Sequence, residues 1–183
     1  MKWMHILQKS VSGRSVLILF VVTLAVYLIM LLHTIPSVVQ QAPELKLFDM
    51  SPYGYTTDYA EKLLTGMGPA GREDYLHLQL PIDFVYPGLF AITYTMMLIW
   101  LFKKTFDAES KIFLMAFIPA VAGFFDYMEN LGVMGMLHSY PTVDPDVVHM
   151  ASAFSVAKSA FTVAFYLLLL YGLLRFLLKR VRG

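Results

Sequence analysis

Two carboxylic acids and an amide lie within five residues of one another in an otherwise apolar stretch. The segment Gly123–Leu131 contains Asp126, Glu129 and Asn130. Residues three and four apart share a helix face, so these side chains are expected to point in the same direction. Ionisable groups at bilayer depth are costly and usually face a bundle interior or a wet cavity. The cluster is therefore the first candidate for a functional site.

The cluster suggests acid–base chemistry together with Lys158, which lies near the middle of the last apolar stretch. Two neighbouring carboxylates in a low dielectric repel each other, so one is expected to stay protonated as a general acid. The other, paired with Lys158, would stay a base. Asp126, Glu129 and Lys158 are thus the candidate catalytic residues for proton transfer on a lipid-soluble substrate, such as double-bond isomerisation. Three alternatives stay open: binding of an amine-bearing ligand without reaction, a proton or ion pathway, and a buried ion pair that only fixes helix register.

Further polar and aromatic residues are candidates for ligand binding because they are expected to lie near the cluster or in the loop that caps it. They are Asp83, Asn130, Tyr94, Tyr127, Arg72 and Ser155. Arg72 would clamp an anionic head group, or else pair locally with Glu73 or Asp74. Four of the five histidines fall at the expected outer ends of the spans, and with Asp83, Asp144 and Asp146 nearby they could compose a metal site. These are His33, His77, His138 and His149. No paired ligand spacing such as HExxH occurs and interfacial histidines are ordinary, so no metal site and no cofactor are assigned, and metal binding by these histidines stays open.

The composition is that of a membrane protein. Of 183 residues, 58% are hydrophobic and 15% are charged. The absence of cysteine excludes disulfides, thiolate metal sites and cysteine nucleophiles. No phosphate-binding loop or nucleophile motif occurs, and the basic C-terminal tail is too sparse to indicate nucleic-acid binding.

The hydropathy pattern predicts an all-α fold, with four transmembrane helices in a bundle that forms one integral membrane domain over residues 1–183. The spans are expected at about 16–35, 82–102, 112–137 and 147–171. The first is long for a signal peptide and lacks a cleavage pattern, so it is expected to be retained. Residues 36–80 form a structured extracytoplasmic loop, with a short helix from about Asp58 in a capping box and a second helix start near Gly71 that leads into the second span.

The distribution of basic residues predicts the orientation. Ten of the fourteen Lys and Arg residues fall in the N-terminal segment, the linker Lys103–Lys111 and the C-terminal tail. The positive-inside rule then places both termini in the cytoplasm, in a multi-pass protein of the cell membrane. The helical rise of about 1.5 Å per residue places Asp126 and Lys158 at a similar depth, in the outer half of the bilayer, so a Lys158–carboxylate pair is expected.

Two sets of residues resemble known membrane proteins. The first set resembles a group of small bacterial four-span membrane proteins, over most of the chain. It consists of Phe48-Asp-Met-Ser-Pro-Tyr-Gly54-Tyr55, Gly71-Arg72-Glu-Asp-Tyr75, Asp83, Pro87, and Asp126-Tyr-Met-Glu129-Asn130-Leu131 with Lys158. That resemblance implies no activity. More distantly, His33-Thr-Ile-Pro36, Asp83 with Tyr86-Pro87, and Tyr94 are similar to the EXPERA family of sterol isomerases and sigma-2-type receptors. This second resemblance implies four or five spans and an intramembrane pocket lined by acidic residues.

These observations together predict a small integral membrane protein that binds a lipid-like or amphipathic small molecule in an intramembrane polar pocket. The alternatives are an intramembrane enzyme that performs acid–base chemistry on a lipid-soluble substrate, and a structural or assembly subunit. The expected partners are membrane lipids and the lipid-like molecule, with no nucleic acid. Assembly into a homo-oligomer is left open.

Overall fold

The chain is almost entirely helical. The computed structural model describes residues 2–40 and 42–182, and these contain no β-strand. The helices of the described residues are α1 (Lys2–Ser10), α2 (Gly13–Val38), α3 (Thr57–Gly66), α4 (Gly68–Thr105), α5 (Ile112–Ser139) and α6 (Pro145–Arg182). Four of them, α2, α4, α5 and α6, are long and apolar enough to cross a membrane. The predicted all-α bundle of four membrane helices is therefore confirmed.

Two helices in the loop region begin one to three residues before the positions near Asp58 and Gly71 that the sequence indicated. Helix α3 begins after Thr56, whose side chain accepts a hydrogen bond from the Tyr59 amide, so the predicted cap at Asp58 is wrong. Helix α4 begins at Gly68, well before the apolar span, because Gly68 adopts a positive φ of 66° that ends α3 and allows a new helix to start at once. The chain therefore runs without a break from this start into the second span.

Helices α2 and α4 each contain one π-helical turn, Met30–Thr34 and Tyr75–Gln79. Each turn is followed within two residues by a proline, Pro36 or Pro81, which cannot donate to the helical ladder. The two turns are joined by a buried hydrogen bond from the Thr34 hydroxyl to the Gln79 side-chain oxygen. The irregular backbone thus lies where the two helices meet.

Helix α5 packs against both α4 and α6, and α2 packs mainly on α4. Small residues allow the close approaches: a Cβ on Gly123 would lie 2.7 Å from the Pro87 carbonyl oxygen of α4, and one on Gly132 would lie 2.5 Å from the Ala151 Cβ of α6. Between α2 and α4, the Thr23 and Thr93 hydroxyls share a buried hydrogen bond of 2.7 Å. Small residues and isolated polar contacts are the usual means of packing helices in lipid.

The bundle has two different ends. The loop end carries residues 42–56 and α3, which cover the ends of the long helices. The basic end carries α1, the 106–111 linker and the end of α6. There the Lys103 ammonium donates hydrogen bonds to the carbonyl oxygens of Gln8 and Val11, which fixes α1 across the bundle.

The buried apolar residues form two clusters with a polar layer between them. On α5, Ala122 belongs to the cluster at the basic end and Val133 to the cluster at the loop end, and Asp126, Glu129 and Asn130 lie between these positions. The same order holds on the other two helices, with Asp83 between Leu80 and Phe90 on α4, and Lys158 between Ala151 and Phe165 on α6. Three neighbouring helices therefore contribute charged groups to one layer.

The Gly132 contact yields a stability prediction. Gly132→Ala should lower the free energy of unfolding by about 1–3 kcal/mol, because the added methyl overlaps Ala151 and forces α5 and α6 apart. Thermal unfolding in a mild detergent measures the change. The matched control is Gly135→Ala, whose Cβ would meet only Val147 at an ordinary 3.7 Å and which gains helix propensity. Equal unfolding temperatures for the two variants would contradict the close approach of the helices.

Candidate functional site

One lysine is shared by two carboxylates at the centre of the polar layer. The Lys158 Nζ lies 3.2 Å from Asp126 Oδ1 and 2.5 Å from Glu129 Oε2. The three-residue spacing of the two acids places both on the face of α5 that meets α6. The expected Lys158–carboxylate pair is therefore present, and it involves both acids.

The three groups differ in burial. Glu129 is fully buried, whereas the side chains of Asp126 and Lys158 keep 12% and 13% of their surface exposed. Charges in such a position are stable only when each has a partner, because the desolvation of an isolated ion costs several kcal/mol. Glu129 has no exposed surface and contacts Lys158. Asp126 and Lys158 face open space.

Asn130 connects the same cluster to α4. Its side-chain amide donates a 3.1 Å hydrogen bond to the Asp83 backbone carbonyl. Pro87 lies four residues after Asp83 and has no N–H, so this carbonyl has no helical donor. The sequence analysis included Asn130 among the ligand-binding candidates, but in the structure its amide group satisfies the carbonyl freed by a proline inside a membrane helix.

The Asp83 side chain is left without a partner by this arrangement. Asp83 is 3% exposed, and its Oδ2 atom has no hydrogen-bond partner. Its charged neighbours are Asp49, Asp126, Glu129 and Lys158. A buried carboxyl oxygen without a donor is rare and calls for an explanation.

A cavity of about 670 Å³ opens beside the polar layer. Asp83, Asp126 and Lys158 form its polar wall. Its apolar walls come from α2, α4 and α6 and include four tyrosines. These are Tyr27, Tyr86, Tyr94 and Tyr166. The cavity therefore combines charged groups on one side with an aromatic and aliphatic lining on the other.

A short loop covers the cavity at the loop end, and we call residues 48–55 the roof. Two serines of α6 hold it: Ser152 Oγ accepts a 2.8 Å hydrogen bond from the Tyr55 amide, and Ser155 Oγ donates to the Ser51 carbonyl at 3.2 Å. Gly54 makes this contact possible, because it has a φ of 83° and a Cβ there would lie 2.6 Å from Ser152 Oγ. The roof is thus tied to the helix that carries Lys158.

The roof brings a carboxylate that sequence reasoning missed. Asp49 lines the cavity, and its Oδ1 accepts a 3.2 Å hydrogen bond from the Tyr75 hydroxyl. The acid lies in a polar loop where acidic residues are ordinary, so no periodicity singles it out. The one signal was that the segment from Phe48 to Gly54 belongs to the residues that resemble a group of small bacterial four-span membrane proteins.

The cavity is open on the side between α2 and α6. Five of its lining side chains are also exposed on the outside of the bundle. These are Leu24, Tyr27 and Leu31 of α2 and Val163 and Tyr166 of α6. All five are apolar or aromatic, and they lie on helices that are long and apolar enough to cross a membrane. The surface around this opening therefore suits lipid rather than water.

The remaining predicted site residues do not line the cavity, except for Tyr94. Ser155 holds the roof, and Tyr127 stacks on Phe84 with a ring separation of 6.3 Å. Arg72 lies at the loop end, where it donates a 2.7 Å hydrogen bond to the Leu64 carbonyl and lies 4.0 Å from the centre of the Tyr140 ring. It has no ion pair with Glu73 or Asp74 in the described part of the chain, so that alternative is wrong.

The histidines at the ends of the spans are dispersed. His77 lies 3.6 Å from Glu73, and His138 contacts the Met134 carbonyl on its own helix. Within residues 2–40 and 42–182, no three His, Cys, Asp or Glu side chains are grouped closely enough to hold a metal ion.

Comparisons of the chain with protein-family models, with curated proteins and with solved structures gave no match. The resemblances stated from the sequence therefore stay predictions.

Removal of the shared lysine tests the energetics of the polar layer. Lys158→Met should lower the free energy of unfolding by about 3–5 kcal/mol, because Asp126 and Glu129 would be left without a cation. Adding Asp126→Asn and Glu129→Gln to this variant should restore part of the loss, since amides carry no charge. Unfolding in mixed detergent micelles measures both changes.

The matched control is Lys179→Met on the same helix, where the exposed ammonium bonds only to the Lys104 carbonyl. This change should alter stability by less than about 1 kcal/mol. If Lys158→Met were no more destabilising than the control, the shared ion pair would not be a stabilising contact.

Proposed function

We propose that this protein binds a lipid-like or amphipathic small molecule in the cavity between α2, α4 and α6. The observation that carries the proposal is the combination of a polar wall at Asp83, Asp126 and Lys158 with an apolar opening toward the lipid. A ligand with a polar head and an apolar body matches this division of surface.

The size of the cavity supports the proposal. At about 670 Å³ it lies within the range of roughly 300–1,000 Å³ typical of small-molecule sites. Such sites are usually lined by apolar and aromatic side chains with a few convergent polar groups. A polar cluster that served only to fix helix register would not require an adjoining space of this size, because interiors are close-packed.

The opening supports a route from the bilayer. Leu24 and Leu31 of α2 and Val163 of α6 are exposed where they border the cavity. A ligand dissolved in the membrane would enter sideways with its tail in lipid and its head toward Lys158. The roof closes the loop end, so entry from water is disfavoured.

A second candidate is intramembrane acid–base catalysis, favoured by the carboxyl groups of Asp83 and Asp126, which line the cavity from the membrane helices, while Asp49 lines it from the roof. The Asp83 carboxyl has one oxygen without a donor, so this group would be available to exchange a proton with a bound ligand. Glu129 does not line the cavity, so in this alternative it would act only by holding Lys158.

We further propose that the basic end faces the cytoplasm and that both termini are cytoplasmic. The support is the distribution of charge: the N-terminal segment, the linker and the C-terminal tail hold ten of the fourteen Lys and Arg residues, and the turn at 140–144 holds none. The loop end, with its roof, would then face the outside of the cell membrane.

Binding is tested by filling the cavity. The protein extracted in a mild detergent should carry a discrete molecule in native mass spectrometry, and Ser159→Phe should remove it, because Ser159 lines the cavity beside Lys158. The matched control is Ala160→Phe, which adds the same ring on the exposed side of α6 and should leave the molecule bound. Equal occupancy in wild type and Ser159→Phe, or no bound molecule in several detergents, would contradict binding in this cavity.

Native mass spectrometry of the Asp126→Asn variant, compared with the wild type, separates binding from catalysis. A binder should carry the same molecule in both proteins, because the amide still accepts hydrogen bonds. An enzyme should carry product in the wild type and unreacted substrate in the variant. These two molecules would give different fragments in the mass spectrometer. Identical molecules in both would contradict catalysis by Asp126.

The orientation is tested by single cysteines, which the cysteine-free chain makes straightforward. A membrane-impermeant thiol reagent should label Thr142→Cys in intact cells, because this exposed residue lies in the turn at the loop end. Ala108→Cys, exposed at the basic end, should be labelled only after lysis. The reverse pattern would contradict the assigned orientation.

A further inference from the structure

The cavity and the polar layer contain more acids than bases. Four carboxyl groups, those of Asp49, Asp83, Asp126 and Glu129, interact electrostatically with a single ammonium, that of Lys158. Lys158 is the only basic residue among those that line the cavity. Charges of one sign accumulate in a low dielectric only with a compensating partner, and acids that lack one are protonated instead.

The one lysine is already engaged. Its ammonium contacts Asp126 and Glu129 together, so these three groups leave no positive charge for the other two acids. Asp49 accepts only the hydrogen bond from the Tyr75 hydroxyl, and Asp83 Oδ2 has no donor although the residue is 3% exposed. Both residues line the cavity. The uncompensated part of the site is therefore the side formed by the roof and α4.

A metal ion does not fit this side. In the described part of the chain, no three acidic, histidine or cysteine side chains converge on one point. Small hard cations require several oxygen ligands within about 2.6 Å. A larger organic cation needs no such convergence, because an ammonium distributes its charge over several donors and the carbons around them.

The tyrosines of the cavity suit an organic cation. Tyr27 and Tyr86 lie with their ring centres 5.7 Å apart, and Tyr94 and Tyr166 complete the aromatic lining. Aromatic faces attract ammonium groups by about 0.5–2 kcal/mol, most strongly where water is excluded. Their apolar surface also accommodates an alkyl chain that leads to the opening between α2 and α6.

We propose that the ligand of the cavity is a cationic amphiphile whose ammonium head binds at Asp83 and Asp49, with its apolar tail directed toward the lipid-facing opening. This assignment rests on the proposed function and specifies its ligand class. The ammonium would pair with the Asp83 carboxyl, which forms no ion pair in the described part of the chain, and Asp49 supplies the second negative charge from the roof. The head group would thereby join the roof to α4.

The test compares dodecylamine with 1-dodecanol, which share a chain and differ in charge. Binding is measured by native mass spectrometry of the full-length protein in nanodiscs of zwitterionic phosphatidylcholine. The wild type should bind the amine at least about tenfold more tightly than the alcohol, a difference of about 1.4 kcal/mol. Asp83→Asn and Asp49→Asn should each reduce that ratio to within about threefold, through a loss of amine affinity.

The matched control is Asp107→Asn, which removes a carboxylate at the exposed basic end and should keep the tenfold ratio. Retained alcohol binding shows that a variant keeps its cavity. Asp49→Asn carries the test if Asp83→Asn fails to fold, because Asp49 belongs to the roof rather than to the helix interior.

The outcomes distinguish this inference from the proposed function. If amine and alcohol bind the wild type equally, the cationic ligand class is wrong and the binding function stands. If neither binds, the proposed function fails as well. If the preference for the amine persists in both variants, the charge is sensed elsewhere and the assignment to Asp83 and Asp49 is overturned.

Discussion

The structure depends on one ammonium held between two carboxylates inside a membrane bundle. Lys158 can be buried on α6 only because Asp126 and Glu129 of α5 meet it, and these acids in turn are stable there only with a cation. The interaction requires a fixed register between the two helices. The approach of Gly132 to Ala151, one turn away from Glu129, brings the helices close enough to maintain it.

The polar residues of α5 divide between its two neighbours. Asp126 and Glu129 contact α6, whereas Asn130 satisfies the Asp83 carbonyl that Pro87 leaves without a donor on α4. One turn of one helix therefore fixes three helices together. Asn130 bonds to the backbone carbonyl of Asp83 and not to its side chain. The Asp83 carboxyl therefore keeps one oxygen without a donor, and the residue lines the cavity.

Local pattern predicted the parts of this arrangement that lie within single helices. The four membrane helices follow from long apolar stretches, and the Lys158 contact follows from a three-residue spacing and a shared depth. The roof had no such signal, because Asp49 reaches the site through contacts of Ser51 and Tyr55 with α6, about a hundred residues away. The early start of α4 was predicted near Gly71, three residues after its position at Gly68, because the sequence offers glycines at 66, 68 and 71 and does not show which of them takes the positive φ.

Helix α6 carries Lys158 and also holds the roof through Ser152 and Ser155, so the charged wall and the cover of the cavity belong to one rigid unit. Helix α2 stands apart from that unit. It contributes no charged group to the cavity, and it contacts α4 through rings, such as Tyr27 with Tyr86, and through the hydroxyls of Thr23 and Thr93. Such a polar contact is worth about 0.6 kcal/mol on average between membrane helices. Under the proposed function, the rate of ligand exchange and the strength of binding would therefore depend on different helices.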